Sequence, residues 1–128
     1  MKKNIVETHN APQAIGPYSQ GISYGDFVFT SGQLPLDPTT AVLPAGGIKE
    51  QTRQSLLNVQ AVLEQSGASM KSVIKTTCFL ANMEDFAEFN AVYSEFFDAE
   101  TAPARSCIQA AKLPRDALVE IEAIAHKL

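Results

Sequence analysis

The sequence predicts an α+β domain spanning residues 1–128, a β-sheet with two helices laid on one face. Three observations point to it. Gly and Pro punctuate the first half from Pro12 to Gly47, which cuts it into short strands joined by turns. Two later stretches carry apolar residues at helical spacing. Between and after them lie runs rich in β-branched residues.

Taken in order, Asp26–Ser31 (DFVFTS) is aromatic and β-branched and reads as a strand. From Ile48 to Ser66 the period changes: Ile48, Thr52, Leu56, Val59 and Leu63 recur at steps of three or four, so one helical face is apolar. Gly67 is placed to close that helix with a left-handed cap. Val73–Ala81 (VIKTTCFLA) is nearly all apolar and reads as a well-buried central strand. Asn82 is the N-cap of a second helix, with Asp85 as a weaker capping-box partner, and Phe86, Phe89, Tyr93 and Phe96 form its buried stripe. Ala104–Leu113 and Leu118–Lys127 read as a hairpin turning at Pro114–Ala117. Two amphipathic helices cover one face of such a sheet, so the other face is left to solvent or to a partner. Val119, Ile121, Ala123 and Ala125 line the helix side of the last strand, and Glu120 and Glu122 point away.

Composition narrows the function. Hydrophobic residues are 45% and charged residues 19% of the chain, an ordinary globular balance. The net charge is -4 and the ten Lys and Arg are scattered, so neither nucleic acid nor an anionic membrane is an expected partner. No segment approaches the roughly 20 apolar residues of a membrane span, and MKKNIVETHN has no apolar stretch behind its charged start. A cytoplasmic protein with two free thiols, Cys78 and Cys107, is expected. The two histidines, His9 and His126, form no metal-ligand spacing with these cysteines, so no metal is expected.

The candidate chemistry gathers near the C-terminus. Under the hairpin, Arg105 and Cys107 share the helix-free face with Glu120 and Glu122. If Leu113 pairs with Leu118, Arg105 and Glu120 of one chain stand roughly 20 Å apart, too far to grip one small ligand. A site using both then needs a second copy of the chain, which would also cover the open sheet face. Arg105 is a fork that matches a carboxylate, or else half of a surface ion pair. Cys107 is a small buried hydrophobe or a thiol that His126 reaches diagonally. Glu120 and Glu122 are a solvated strand face or a carboxylate pair of the glycosidase kind. GPYSQG (Gly16–Gly21) reads as a turn, and Ser31-Gly32 as a β-turn or an anion-binding nest.

These pieces together resemble the Rid family, the reactive-intermediate deaminases also called YjgF-type proteins. The matching segments are AIGPYSQG, FTSGQLPLDP, TRQSLLNVQAVLEQSG, VIKTTCFL, DFAEFNAVYSEFF and PARSCIQAAKLPRDALVEIEAIA, which span nearly the whole chain. The resemblance implies a chorismate-mutase-like fold with a mixed β-sheet, assembled as a homotrimer with ligand sites between subunits. It implies a 2-iminobutanoate/2-iminopropanoate deaminase, which hydrolyses reactive 2-imino acids, formed from enamines such as 2-aminoacrylate, to 2-keto acids and ammonia without cofactor or metal. Carried over by motif, Arg105 binds the substrate carboxylate, Cys107 acts through its backbone, and Glu120 activates the attacking water. Tyr18, Ser31 and Gly32 line the pocket, and Asn90 lies near the ligand. Asp98–Ala102 is shorter than in some relatives and borders the cleft, so it bears on substrate size. The alternatives are a keto-acid-binding regulatory protein of the same fold, an RNA-directed activity, and chorismate-mutase chemistry, which calls for more cationic groups.

Overall fold

The computed structural model describes all 128 residues. The chain runs β1 (Asn4–Val6), β2 (Gly21–Tyr24), β3 (Phe27–Thr30), α1 (Ile48–Gln65), β4 (Val73–Leu80), α2 (Phe86–Phe96), β5 (Ala104–Gln109) and β6 (Val119–His126). The six strands form one mixed sheet in the order β1-β2-β3-β6-β4-β5. No helix is long and apolar enough to cross a membrane.

Local signals set most boundaries. Tyr24 pairs with Phe27, and Gly25, at φ 60°, supplies the positive φ that the two-residue hairpin loop requires. The expected stripe of α1 is buried throughout: Ile48, Thr52, Leu56, Val59 and Leu63. Gly67 has φ 85°, its N–H donates to Glu64 O at 3.3 Å, and the next N–H, of Ala68, donates to Leu63 O at 3.0 Å. That pair of bonds closes α1 as a Schellman cap. Asn82 caps a short 3-10 turn, Met83–Asp85, and α2 begins only at Phe86.

Both helices bury their apolar stripes on one sheet face, where Leu56, Val59, Leu63, Phe89 and Tyr93 meet Val28, Cys78, Leu80, Val119, Ile121, Ala123 and Ala125 in one core. Of the stripe expected on α2, Phe89 and Tyr93 are buried, while Phe86 and Phe96 pack at its margin. The strand β4 lies between β5 and β6, as its apolar sequence predicts. Its burial alternates instead of being complete, because only one sheet face carries helices.

The predicted C-terminal hairpin does not form. β5 pairs in parallel with β4, and β6 pairs antiparallel with β3 and β4, so β4 separates the two. The physical reason is the α2 crossover, which is long enough to return the chain parallel to β4 at the free edge. The Ala110–Leu118 connection then passes around the end of β4, with Ala110 N–H donating to Leu80 O at 2.9 Å and Ala81 N–H to Leu118 O at 3.0 Å.

Candidate functional site

The parallel pairing sets the face of each candidate residue. Arg105 is the register partner of Thr76 and Cys107 of Cys78, both buried beneath the helices. Arg105 and Cys107 therefore project toward α2, not onto the helix-free face that the hairpin predicted. Glu120 pairs with Phe79 and alternates with buried Val119 and Ile121, so it projects the other way, as expected. Glu122, opposite Thr77, does the same. Arg105 and Glu120 thus lie on opposite faces. Counting two strand spacings across and three residues along puts their Cα atoms about 14 Å apart in place of the roughly 20 Å of the hairpin.

The first cluster is built around Arg105. Its Nη1 donates to Asn90 Oδ1 at 2.7 Å. Its Cζ lies 4.7 Å from the centroid of the Tyr93 ring, 5.4 Å from that of Phe86 and 5.9 Å from that of Phe89. These four residues occupy one side of α2, because positions 86, 89, 90 and 93 fall at steps of three and four. No carboxylate pairs with Arg105; the ion pairs of the chain are Arg53–Glu95 and Lys112–Asp116. Sequence reasoning treated the aromatic residues as core alone. The signal it passed over was Asn90 set among Phe86, Phe89 and Tyr93 at helical spacing.

Cys107 is half-buried beside Arg105. Burial pushes its thiol pKa up, against a smaller opposing pull from the Arg105 charge. Burial holds Cys78 at about 12. Both are thiols at neutral pH, which argues against nucleophilic roles. His126 pairs across from Phe27 on the β3 side, with β4 between it and β5, so it does not reach Cys107. Backbone groups alternate along a strand, and Ala110 N–H faces β4. The N–H and C=O of Arg105, Cys107 and Gln109 therefore face the open edge of the sheet, free to bind.

The second cluster gathers on the helix-free side. Tyr18 and Ser31 line a cleft of about 410 Å³ together with Lys3 and Phe29. Lys3 had no sequence signal of its own; pairing of the β1 and β2 strands brings it there. Ser31 Oγ donates to Ser19 O, and Ser31 N–H donates to Gln20 O at 2.9 Å. Gln33 N–H is also used, donating to Ile121 O at 2.7 Å. The anion-nest reading of Ser31-Gly32 needs successive free N–H groups, so it fails here. Glu120 fills the space above Gly32: a Cβ there would stand 2.8 Å from Glu120 Oε2. The segment is pinned from α1, where buried Ser55 Oγ donates to Gln33 O at 3.0 Å and buried Asn58 Nδ2 donates to Leu34 O and Leu36 O at 3.0 and 2.9 Å. Burial of Glu120, with a further push from Glu122, raises its carboxyl above the ordinary glutamate value. No group of three or more His, Cys, Asp or Glu converges as a metal site.

The chain therefore carries two separate clusters of candidate residues. One offers a cationic fork beside free backbone donors and acceptors. The other offers a carboxylate of raised pKa over Gly32, next in sequence to the cleft residue Ser31.

Comparison with known proteins gives consistent matches. The protein-family model described as Endoribonuclease L-PSP matches residues 8–127. A RutC family protein of Pyrococcus abyssi is 48% identical over 127 residues, covering 99% of both chains. The 2-iminobutanoate/2-iminopropanoate deaminase of Escherichia coli K12 is 49% identical over 127 residues, covering 98% of each. The crystal structure of E. coli TdcF with bound serine superposes with a TM-score of 0.91 at 49% identity, covering 98% of this chain and 99% of that one.

Proposed function

The chain belongs to the Ribonuc_L-PSP (YjgF/Rid) family, and from that membership we propose that it is a hydrolytic deaminase converting reactive 2-imino acids to 2-keto acids and ammonia. The observation that carries the reading is Arg105: a guanidinium held in place with no acidic partner, open to a substrate carboxylate. The named activity of the deaminase relative supports the same chemistry.

The proposed site lies between copies of the chain in a homotrimer, with Arg105 and Cys107 of one copy facing Tyr18, Ser31, Gly32 and Glu120 of the next. The opposite-facing half-sites support that arrangement, because neither is sufficient alone. So does the helix-free face, where Ile5, Ile108, Phe27 and Phe29 remain 65%, 53%, 45% and 42% exposed.

In this scheme Arg105 holds the carboxylate and fixes the imine carbon near the bound water. The imine nitrogen takes up a proton from solvent, water adds through its oxygen to that carbon, and Glu120 accepts the proton the water releases. Glu120 then returns that proton to the amine of the carbinolamine, which leaves as ammonia while the hydroxyl gives its proton back to solvent and the carbonyl forms. The imine is already electrophilic, so no covalent enzyme intermediate is required, in keeping with the neutral Cys107 thiol. Its outward-facing backbone groups hold the imine nitrogen or the water. The reaction needs no cofactor and is placed in the cytoplasm.

A second reading is a metabolite-binding protein without turnover, favoured by the serine, a molecule with no imine, held in the TdcF structure. An RNA-directed activity, named in the family description, fits poorly with a net charge of -4 and dispersed basic residues.

One experiment separates these readings. A pyridoxal-phosphate dehydratase generates 2-iminobutanoate from threonine, and keto-acid formation is timed with and without the protein. Acceleration that Arg105→Ala abolishes while the assembly stays folded supports the deaminase, with Glu120→Gln lowering kcat more than it raises KM. Keto-acid binding without acceleration favours the second reading. Full turnover by a folded Arg105→Ala protein contradicts the scheme.

A further inference from the structure

Arginines in folded proteins commonly pair with carboxylates, which match the guanidinium geometry. Arg105 instead has a neutral amide at one N–H, with Nη1 to Asn90 Oδ1 at 2.7 Å, and three aromatic rings around its carbon at 4.7 to 5.9 Å. Ring faces attract the cation without offering it an anion. The rings are themselves fixed. Tyr93 Oη and Thr76 Oγ1 share a 2.7 Å hydrogen bond, which ties α2 to the sheet at the register partner of Arg105. The Tyr93 ring packs at a tilt against those of Phe89 and Phe97, with centroids 5.5 and 4.7 Å away. Burial pushes the Tyr93 pKa up, so its hydroxyl stays neutral and puts no negative charge beside the cation.

We infer that α2 is a charge-free clamp, in which Asn90 and the rings of Phe86, Phe89 and Tyr93 fix the orientation of Arg105 while leaving its charge for the ligand. On this reading Asn90 is a positioning residue that acts through Arg105, and not the substrate contact that the resemblance implied. The clamp sets affinity for carboxylate ligands and leaves the later chemistry to Glu120. The inference rests on the reading of Arg105 as the carboxylate anchor.

The test is the isosteric substitution Asn90→Asp in the full-length assembled protein. It keeps the shape and puts an anion where the amide oxygen stood, so the guanidinium acquires a partner of its own. KM for 2-iminobutanoate is expected to rise about tenfold or more, with kcat within about threefold of wild type. Kd for the product 2-oxobutanoate, measured by calorimetry, is expected to rise in step, while Tm and oligomeric state are unchanged. A residue that only filled space would tolerate the isostere with no change in KM. A second variant, Phe86→Leu, removes one ring at the core margin and is expected to raise KM severalfold. Unchanged KM and Kd in both variants, in a protein whose wild-type binding is lost in Arg105→Ala, would overturn the clamp and leave the anchor standing. Wild-type protein that neither binds 2-oxobutanoate nor accelerates imine hydrolysis would overturn both.

Discussion

Gly32 is needed for its lack of a side chain, since a Cβ there would stand 2.8 Å from Glu120 Oε2 and 2.9 Å from Cδ. The atoms it would strike are the mobile end of Glu120, so Gly32→Ala is expected to displace the carboxylate at little cost to the fold. Turnover should fall by about tenfold or more while Tm shifts by only a few degrees; a variant with wild-type kcat would remove Glu120 from the mechanism. Glu120 has a thermodynamic signature too. Its folded-state pKa is raised above the ordinary value of 4.5, mainly by burial. A raised carboxyl contributes stability that is complete below the unfolded value and is lost as pH rises through the folded one. Glu120→Gln, permanently neutral, is therefore expected to melt above wild type at about pH 8 and to converge with it at about pH 4. Parallel melting curves across that range would mean that the carboxylate is fully solvated in the folded protein.

At the scale of elements, the packing of β2 beneath α1 depends on Gly21. A Cβ there would come 2.7 Å from Val62 Cγ1 and 3.1 Å from Phe29 O, with Val6 Cβ at 3.4 Å. The backbone oxygen cannot turn aside, so Gly21→Ala is expected to destabilise by about 1–3 kcal/mol through overpacking. The check is a lowered urea midpoint at unchanged m; an unshifted midpoint would mean that β2 moves freely relative to α1. Elements of this kind were legible where the signal was local. The stripe of α1, the cap at Gly67 and the inward residues of β6 follow from spacing within one segment. The partner of β5 was not legible in that way. The Pro114–Ala117 turn resembles a hairpin corner, and sequence adjacency was taken for adjacency in the sheet. Parallel pairing of β5 with β4 depends on where α2 leaves the chain, and no residue within β5 encodes that. The error placed Arg105 on the wrong face. The resemblance implied Arg105 and Glu120 as site residues; the fold supplied what surrounds them. Buried Asn58 and Ser55, polar groups within an apolar helix face, hold the Gly32 segment, and apolar periodicity has no means of anticipating them.

For the whole molecule, the sheet separates the two proposed catalytic groups by side. The helix-bearing side holds Arg105, the proposed anchor, and the bare side holds Glu120, the proposed base, on strands with β4 between them. The exposed apolar residues of the bare side, together with the unpaired outer edge of β5, are surfaces that a second copy would cover. One consequence follows for damaged chains. If each crevice draws its arginine from one neighbour and its glutamate from the other, defects at the two positions need not fall in the same crevice. Two dead variants, Arg105→Ala and Glu120→Gln, unfolded and renatured as an equimolar blend, should complement one another: random placement around a closed ring leaves about a quarter of the crevices intact. A blend as inactive as its ingredients would mean that anchor and base never belonged to neighbouring copies.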